Sequence, residues 1–394
     1  MAIENEIPDE QIEDLTVTDR ETPVGSANDV NVIVEGEEPV VEEQVEDEFN
    51  KNIAEEMDER DLQDLANQLI SDFKNDKQTR EDWEQSYTKG LDLLGFKYTL
   101  QTRPFQGASG VTHPLLAEAV TQFQAQAYKE LLPPEGPVRT QIIGVQNQER
   151  EDQASRVSDF MNYMLMERMD EYTPEFDQLL FYLPLAGSAF KKIYYDEVLE
   201  RAVSKFIPAE DLVIPYYATD IRDCERITHI IRMTENEIKK KQVAGFYRDI
   251  ELNPPQDNTS DIKKKYNELE GVSKGAESDD TYSVLEMHVD LDIEDEDNVK
   301  IPYIVTIDET SQEILSIYRN YKKEDPKARK INYFVHYKFL PGLGFYGFGL
   351  IHMIGGLSTA ATSALRQLLD AGTLANLPAG FKSRGMRIRD DEQP

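Results

Sequence analysis

Six consecutive residues, Gly342-Leu343-Gly344-Phe345-Tyr346-Gly347, spell G-x-G-x-x-G between a strand-like run and a helix-like run. In a dinucleotide-binding unit such glycines let the backbone approach a pyrophosphate at a helix N-terminus. Here the pattern fails. The preceding run belongs to an antiparallel-looking block, and no strand ending in an acidic residue follows about 20 residues on. Phe345 and Tyr346 would crowd a phosphate. A nucleotide-binding enzyme using 342–347 is therefore the weaker alternative, and a flexible Pro-Gly hinge is the plainer reading.

Other chemistry-bearing residues are as sparse. Gly107-Ala108-Ser109-Gly110 lacks the Gly-Lys-Ser/Thr ending of a phosphate loop. The acidic run Asp290, Asp292, Glu294, Asp295, Glu296, Asp297 puts Asp295 where an EF-hand loop starting at Asp290 needs glycine, so it reads as a solvated hairpin tip. The histidines, His113, His229, His288, His336 and His352, are scattered and form no H-E-x-x-H pair. Cys224 is the single cysteine, which excludes an intrachain disulfide and any multi-cysteine metal site. The expectation is a protein that is not an enzyme, with no cofactor and no resident metal.

Basic clusters are local. Lys239-Lys240-Lys241 would spread around a helix, and Lys263-Lys264-Lys265 sits in a polar stretch. Lys382, Arg384, Arg387 and Arg389 lie in a segment bracketed by Gly380 and Gly385 and are the candidate DNA-facing cations, although Asp390, Asp391 and Glu392 weaken their field. The net charge of the 394-residue chain is −34, which argues against a protein that wraps DNA on a basic face. Residues 1–60 hold 21 acidic residues against Arg20, Lys51 and Arg60, so −18 of that charge sits there. Apolar runs fall short of the roughly 18 residues of a membrane span, and MAIENEIPDE has no secretory pattern. A soluble, cytoplasmic protein is expected.

The elements that must position these residues follow from periodicity. Residues 1 to about 55 lack the apolar content to offset ordering entropy and read as a disordered acidic tail, either a solubilising tail or an interaction arm. Leu62, Leu65, Leu69, Phe73 and then Trp83, Tyr87, Leu91, Leu94 predict two helices, or one broken near Asn75. Leu115–Leu132 predicts a helix stopped by Pro133-Pro134. A short strand is expected over Val138–Val145. An amphipathic helix is expected over 149–170 with Val157, Phe160, Met161, Met164 and Leu165 on one side, then another from Pro174 to Ala186. Alternation predicts strands over Phe190–Val198, Val203–Ile207 and Ile227–Met233. The Thr234…Glu237 capping box opens a helix running to about Tyr247. Residues 253–280 read as a mobile connection. Tyr282–Leu291, Ile301–Ile307, Ile314–Tyr321 and Ile331–Phe339 predict a small antiparallel module inserted between helices. The last helix, Leu350 to about Ala375, carries Gly355, Gly356, Ser358, Ala360, Ala361 and Ala364, small residues suited to close contact between subunits.

Several of these pieces together resemble the portal, or head-to-tail connector, proteins of tailed bacteriophages. They are Arg103-Pro104-Phe105 through Leu132 with Thr112-His113-Pro114, and Pro208-Ala209-Glu210-Asp211-Leu212-Val213-Ile214-Pro215 with Ala218, Asp220 and Asp223. The strand block 282–341 and the Phe345-Tyr346-Gly347 turn entering the small-residue helix also match. The resemblance covers about residues 60–390. It implies a ring of subunits, typically twelve, around a DNA channel at a capsid vertex in the virion, assembled in the host cytoplasm. It implies an α+β fold: a wing-like region over 59–233 after an acidic tail over 1–58, a first stem helix over 234–255, a clip-like β module over 256–345, a second stem helix over 346–378, and the start of a channel loop over 379–394. Implied partners are other copies of the chain, terminase, capsid or scaffold protein, a tail adaptor, and double-stranded DNA passing through without sequence-specific binding. Portal chains usually continue well past this point, the pattern of a fragment or a split gene. A moderately acidic body suits a conduit, because a channel that lets DNA slide should not hold it. The other alternative is an acidic interaction or DNA-mimic protein acting through its tail.

Overall fold

Apolar residues at spacings of three and four build the first helix, and alternating ones build the sheet beneath it. In the computed structural model, residues 48–97, 105, 107–196, 199–256, 259–272, 281–293 and 299–376 are described. α1 (Glu59–Thr79) buries Leu62, Ala66, Leu69, Ile70 and Phe73. They pack on Leu285, Met287, Val289 and Leu291 of β5 (Tyr282–Leu291) and on Tyr303, Val305 and Ile307 of β6 (Ile301–Asp308). Arg226 fixes α1 from the sheet, donating to Asp72 and Asp76, each at 2.9 Å.

The protein is mixed α and β, with eight α-helices and two antiparallel sheets among the described residues. The larger sheet has the order β3 (Leu212–Val213), β4 (Arg226–Met233), β5, β6, β7 (Ile314–Arg319). The smaller has the order β2 (Arg201–Pro208), β1 (Ser188–Asp196), β8 (Phe334–Lys338). The strands expected as a separate module are therefore shared out. β5, β6 and β7 extend a sheet begun by β3 and β4, and β8 returns to pair with β1, His336 opposite Phe190. A third cluster, Met233, Ile238, Tyr247, Val284 and Leu315, covers the other face of the larger sheet beneath α6 (Glu235–Val243).

Helices α2 (Glu81–Leu91), α3 (Leu115–Leu131), α5 (Tyr172–Ala186) and α8 (Leu350–Asn376) bury Tyr87, Leu91, Leu116, Leu179, Leu180 and Ile351 around the smaller sheet. The Thr234 capping box is present, with Glu237 N–H donating to Thr234 Oγ1 and Thr234 N–H to Glu237. The helix it opens stops at Val243, short of Tyr247.

Four expectations need correction. Residues 48–58, expected as the end of the tail, are ordered. Asn52, Ile53 and Ala54 are buried, and Asn52 caps the edge of β7 by accepting from Ile317 N–H (2.9 Å) and donating to Leu315 C=O (3.3 Å). Such capping blocks strand addition at an open edge. The helix break falls at Arg80, not Asn75, because the Arg80 side chain is drawn into the core. Residues 138–145 form no strand. Asn162 and Ser158 of α4 (Gln148–Tyr163) take the backbone of Val138 instead, and Ile143 is 92% exposed. The stretch 253–280 contains α7 (Asp261–Glu270), N-capped by Ser260 and ended by Gly271 in the left-handed region.

Candidate functional site

The glycine loop is a packing device. Phe345 is buried and stacks on His336 and Phe190, with ring centroids 4.5 and 6.0 Å away. Tyr346 stacks on Trp83 at 5.2 Å. The space a pyrophosphate would take is filled by this chain's own rings. Strand β8, which enters the loop, runs antiparallel to β1, so no βαβ unit stands behind it.

Beneath Tyr346 lies a buried polar centre. Arg80 is 5% exposed and donates to the backbone oxygens of Leu212 (2.8 Å), Ala209 (3.0 Å) and Glu210. Its Nε holds Glu84 at 2.8 Å. These carbonyls belong to the Pro208–Pro215 segment, so Arg80 fixes that turn to the helical layer. The Glu210 carboxyl accepts from Tyr182. Tyr182 OH in turn accepts from Ala209 N–H at 3.0 Å. Tyr87 and Tyr266 share a hydrogen bond of 2.9 Å nearby. Burial, with Asp211 adjacent, pushes the Glu210 carboxyl up to about 7 against the hydrogen bond from Tyr182.

That shift makes stability depend on pH. The folded chain keeps this proton up to about pH 7, whereas the unfolded chain releases it near 4.5. Stability from this group is therefore full below pH 4.5, falls as pH rises to about 7, and is level above. At about 1.4 kcal/mol per unit the window spans on the order of 3 kcal/mol. Glu210→Gln keeps the acceptor for Tyr182 and removes the titration. Urea denaturation should find the variant close to wild type at low pH and more stable at pH above 7. An equal difference at both would refute the assignment.

A second centre joins the two sheets. Lys192 of β1 reaches Glu286 of β5 at 2.5 and 2.7 Å, and His288 donates Nε2–H to the same carboxylate at 2.9 Å. Burial works against the charge on Glu286, but Lys192 and His288 outweigh it and hold the carboxyl well below its usual range. His288 is pushed down by burial and stays neutral, its other nitrogen facing Asn320 at 3.5 Å. His229, opposite Glu286 in the β4–β5 register, is pushed down to about 3 by burial. Lys191, on the other face of β1, lies over the rings of Tyr172 (4.4 Å) and Phe176 (4.8 Å), and burial lowers it to about 8. The scattered histidines thus include a pair brought together by strand register, a grouping with no local sequence signal. Among the described residues no three His, Cys, Asp or Glu side chains converge as a metal site. The Cys224 thiol donates to Arg226 C=O at 2.8 Å, and burial raises it to about 11, so it is held as an inert thiol.

The long helix α8 divides the six small residues. Ile351, Gly355, Ser358 and Thr362 form its inward stripe. A Cβ on Gly355 would stand 3.4 Å from Leu93, and Thr362 accepts from His113 N–H at 3.1 Å. Gly355 and Ser358 therefore pack inside this chain. Ala361 is half-buried. Gly356, Ala360 and Ala364 are exposed, on a surface that also carries Met353, Leu357 and Leu368, the last two 66% and 71% exposed. A second apolar surface lies on α4, where no residue is buried and Val157, Phe160, Met161 and Tyr163 are exposed. Met164 and Leu165 fall in a π-helical turn, Met164–Arg168.

Lys239 and Asp249 pair at 2.8 Å, and Lys265 meets Asp92 at 2.6 Å, so these lysines are tied to the chain's own carboxylates. Lys382, Arg384, Arg387 and Arg389 lie outside the described residues, as do Arg103, Pro104 and Glu294–Asp297. No helix among the described residues is long and apolar enough to cross a membrane. No family model matches the chain, and no curated protein matches it.

Proposed function

We infer that this chain is a portal-type assembly protein, a subunit of a ring that conducts DNA through a phage capsid vertex and joins head to tail. The observation that carries this reading is α8. It is 27 residues long, roughly 40 Å at 1.5 Å per residue. One stripe docks on the body, and the opposite one exposes leucines beside Gly356, Ala360 and Ala364. Apolar surface of that extent on a folded chain marks a protein contact. Small residues let a neighbouring helix approach closely. A ring needs heterologous contacts, the patch on one copy meeting a different patch on the next, and the exposed face of α4 supplies a second patch.

In this reading α8 is the stem-type helix. α6, with nine residues, is too short to line a channel beside it. Terminase and then a tail adaptor are the partners of the ring in this reading, with capsid or scaffold protein around the wing. DNA passes the ring without sequence-specific contact, so catalysis has no part in the function.

Native mass spectrometry and electron microscopy of the full-length gene product test this. The expected result is a ring of one dominant subunit number. Leu357→Asp with Leu368→Asp should leave the monomer folded and abolish the ring, since two buried carboxylates would lack partners. A wild-type protein that stays monomeric at all concentrations would overturn the reading.

A further inference from the structure

The Glu210 centre opens into a cavity of ≈ 450 Å³, a size that suits a small ligand. Its wall is apolar and aromatic: Leu91, Leu94, Phe181, Leu185, Phe206 and Leu269. Tyr87, Tyr182 and Tyr266 add ring faces, and Phe96, 58% exposed, stands at the solvent side. Glu210 is among the lining residues although it is only 8% exposed. Among the described residues no Lys or Arg nitrogen forms an ion pair with it, because Arg80 spends its donors on backbone oxygens and on Glu84.

Among the other charged groups of the cavity, Arg232 and Lys263 act on the Asp211 carboxyl, which burial nonetheless holds above its usual range. Glu175 accepts from Phe206 N–H at 2.7 Å. Glu270, on the last turn of α7, is part of the outer wall. What remains is Glu210, a buried acid held by Tyr182 and in no ion pair, with the Arg80 guanidinium as its nearby charge, beside aromatic rings whose negative faces attract cations. An anion is disfavoured there by Glu210, and a neutral apolar guest would leave the carboxylate unpaired.

The geometry points to a binding site for a small organic cation, an alkyl- or arylammonium ion whose stem lies on the aromatic wall and whose nitrogen meets Glu210. The site is independent of ring assembly and would be present in a monomer.

The single tryptophan reports on it. Trp83 stacks on Tyr87, centroids 5.5 Å apart and planes 1° apart, and Tyr87 lines the cavity. Hexylammonium, hexanol and hexanoate are titrated at about pH 8, where Glu210 is ionised and the amine charged. Trp83 emission and calorimetry are read in parallel. Hexylammonium should bind saturably, at least about tenfold tighter than hexanol, and hexanoate should not bind. Glu210→Gln, checked for folding by circular dichroism, should lose the tenfold preference while still admitting hexanol. Leu269→Trp, which fills the cavity from α7 and leaves Glu210 intact, should abolish the calorimetric signal. Equal affinity for the amine and the alcohol would overturn the proposal. So would a preference that survives in Glu210→Gln, or no heat and no emission change with hexylammonium.

Discussion

Arg80→Ala should cost about 3–5 kcal/mol of folding free energy, the loss expected when one member of a buried charged network is removed. The side chain serves three backbone oxygens, those of Ala209, Glu210 and Leu212, together with Glu84. Each carbonyl left buried without a donor costs about 1–3 kcal/mol, and relaxation of the turn recovers part of that. The effect should extend beyond the local turn. Arg80 stands at the junction of α1 and α2 and also reaches Tyr346 OH at 3.4 Å, so it ties the first helices, the 208–215 segment and the entry to α8 together. Arg80→Lys should recover only part of the loss, because an ammonium has no planar fork with which to span three acceptors. Glu84→Gln, at a partly exposed site, should cost under about 1 kcal/mol. Urea midpoints of the three variants decide the matter. If Arg80→Ala is as mild as Glu84→Gln, the guanidinium does not hold the turn.

Much of the secondary structure was legible because it is written in local spacing. β5 alternates Leu285, Met287, Val289 and Leu291 on one face, and that face is the one α1 covers. The Thr234 box needs only residues three apart. α7 also carried its signals, Ser260 before it, Ile262, Tyr266 and Leu269 on one side and Gly271 after it, but the lysines between them made the stretch look like a linker. Sheet membership was not legible. β8 leaves the strands next to it in sequence and pairs with β1, about 150 positions away, because His336 completes an aromatic layer with Phe190 and Phe345.

The site was legible in a different measure. The small residues of α8 were visible as a composition. Their division into an inward and an outward stripe follows from the helical period once Ile351 is known to face Gly90. The pairing of Glu286 with Lys192 depends on β1 and β5 meeting across two sheets, which no local spacing encodes, whereas Glu286 and His288, two apart on β5, share a face by strand alternation. Nothing in the spelling Ala209-Glu210-Asp211 marks a buried acid, and Glu210 is buried where Tyr182 donates to it and α7 walls the neighbouring cavity.

Gly187→Ala is expected to cost about 2–5 kcal/mol, a loss comparable to that of Arg80, for a steric reason. Gly187 ends α5 with φ near +90°, a conformation that costs an L-residue about 1–2 kcal/mol. A methyl there would stand 2.4 Å from Gly347 O and from Gly349 N, both backbone atoms of the segment leading into α8. Separating them disturbs the bond from Phe339 N–H to Gly187 O (3.0 Å) and that from Gly347 N–H to Ser188 Oγ (2.8 Å), which adds a strain of about 1–3 kcal/mol. The contrast lies in the same loop. A Cβ at Gly344 would meet nothing within 4 Å. Gly344→Ala should therefore be neutral, or stabilise slightly by restricting the unfolded chain. The denaturation midpoints of these two variants test whether the loop seats α8 against the α5–β1 turn. If α8 is the helix through which copies meet, Gly187→Ala should weaken assembly in step with stability, while Gly344→Ala leaves both unchanged.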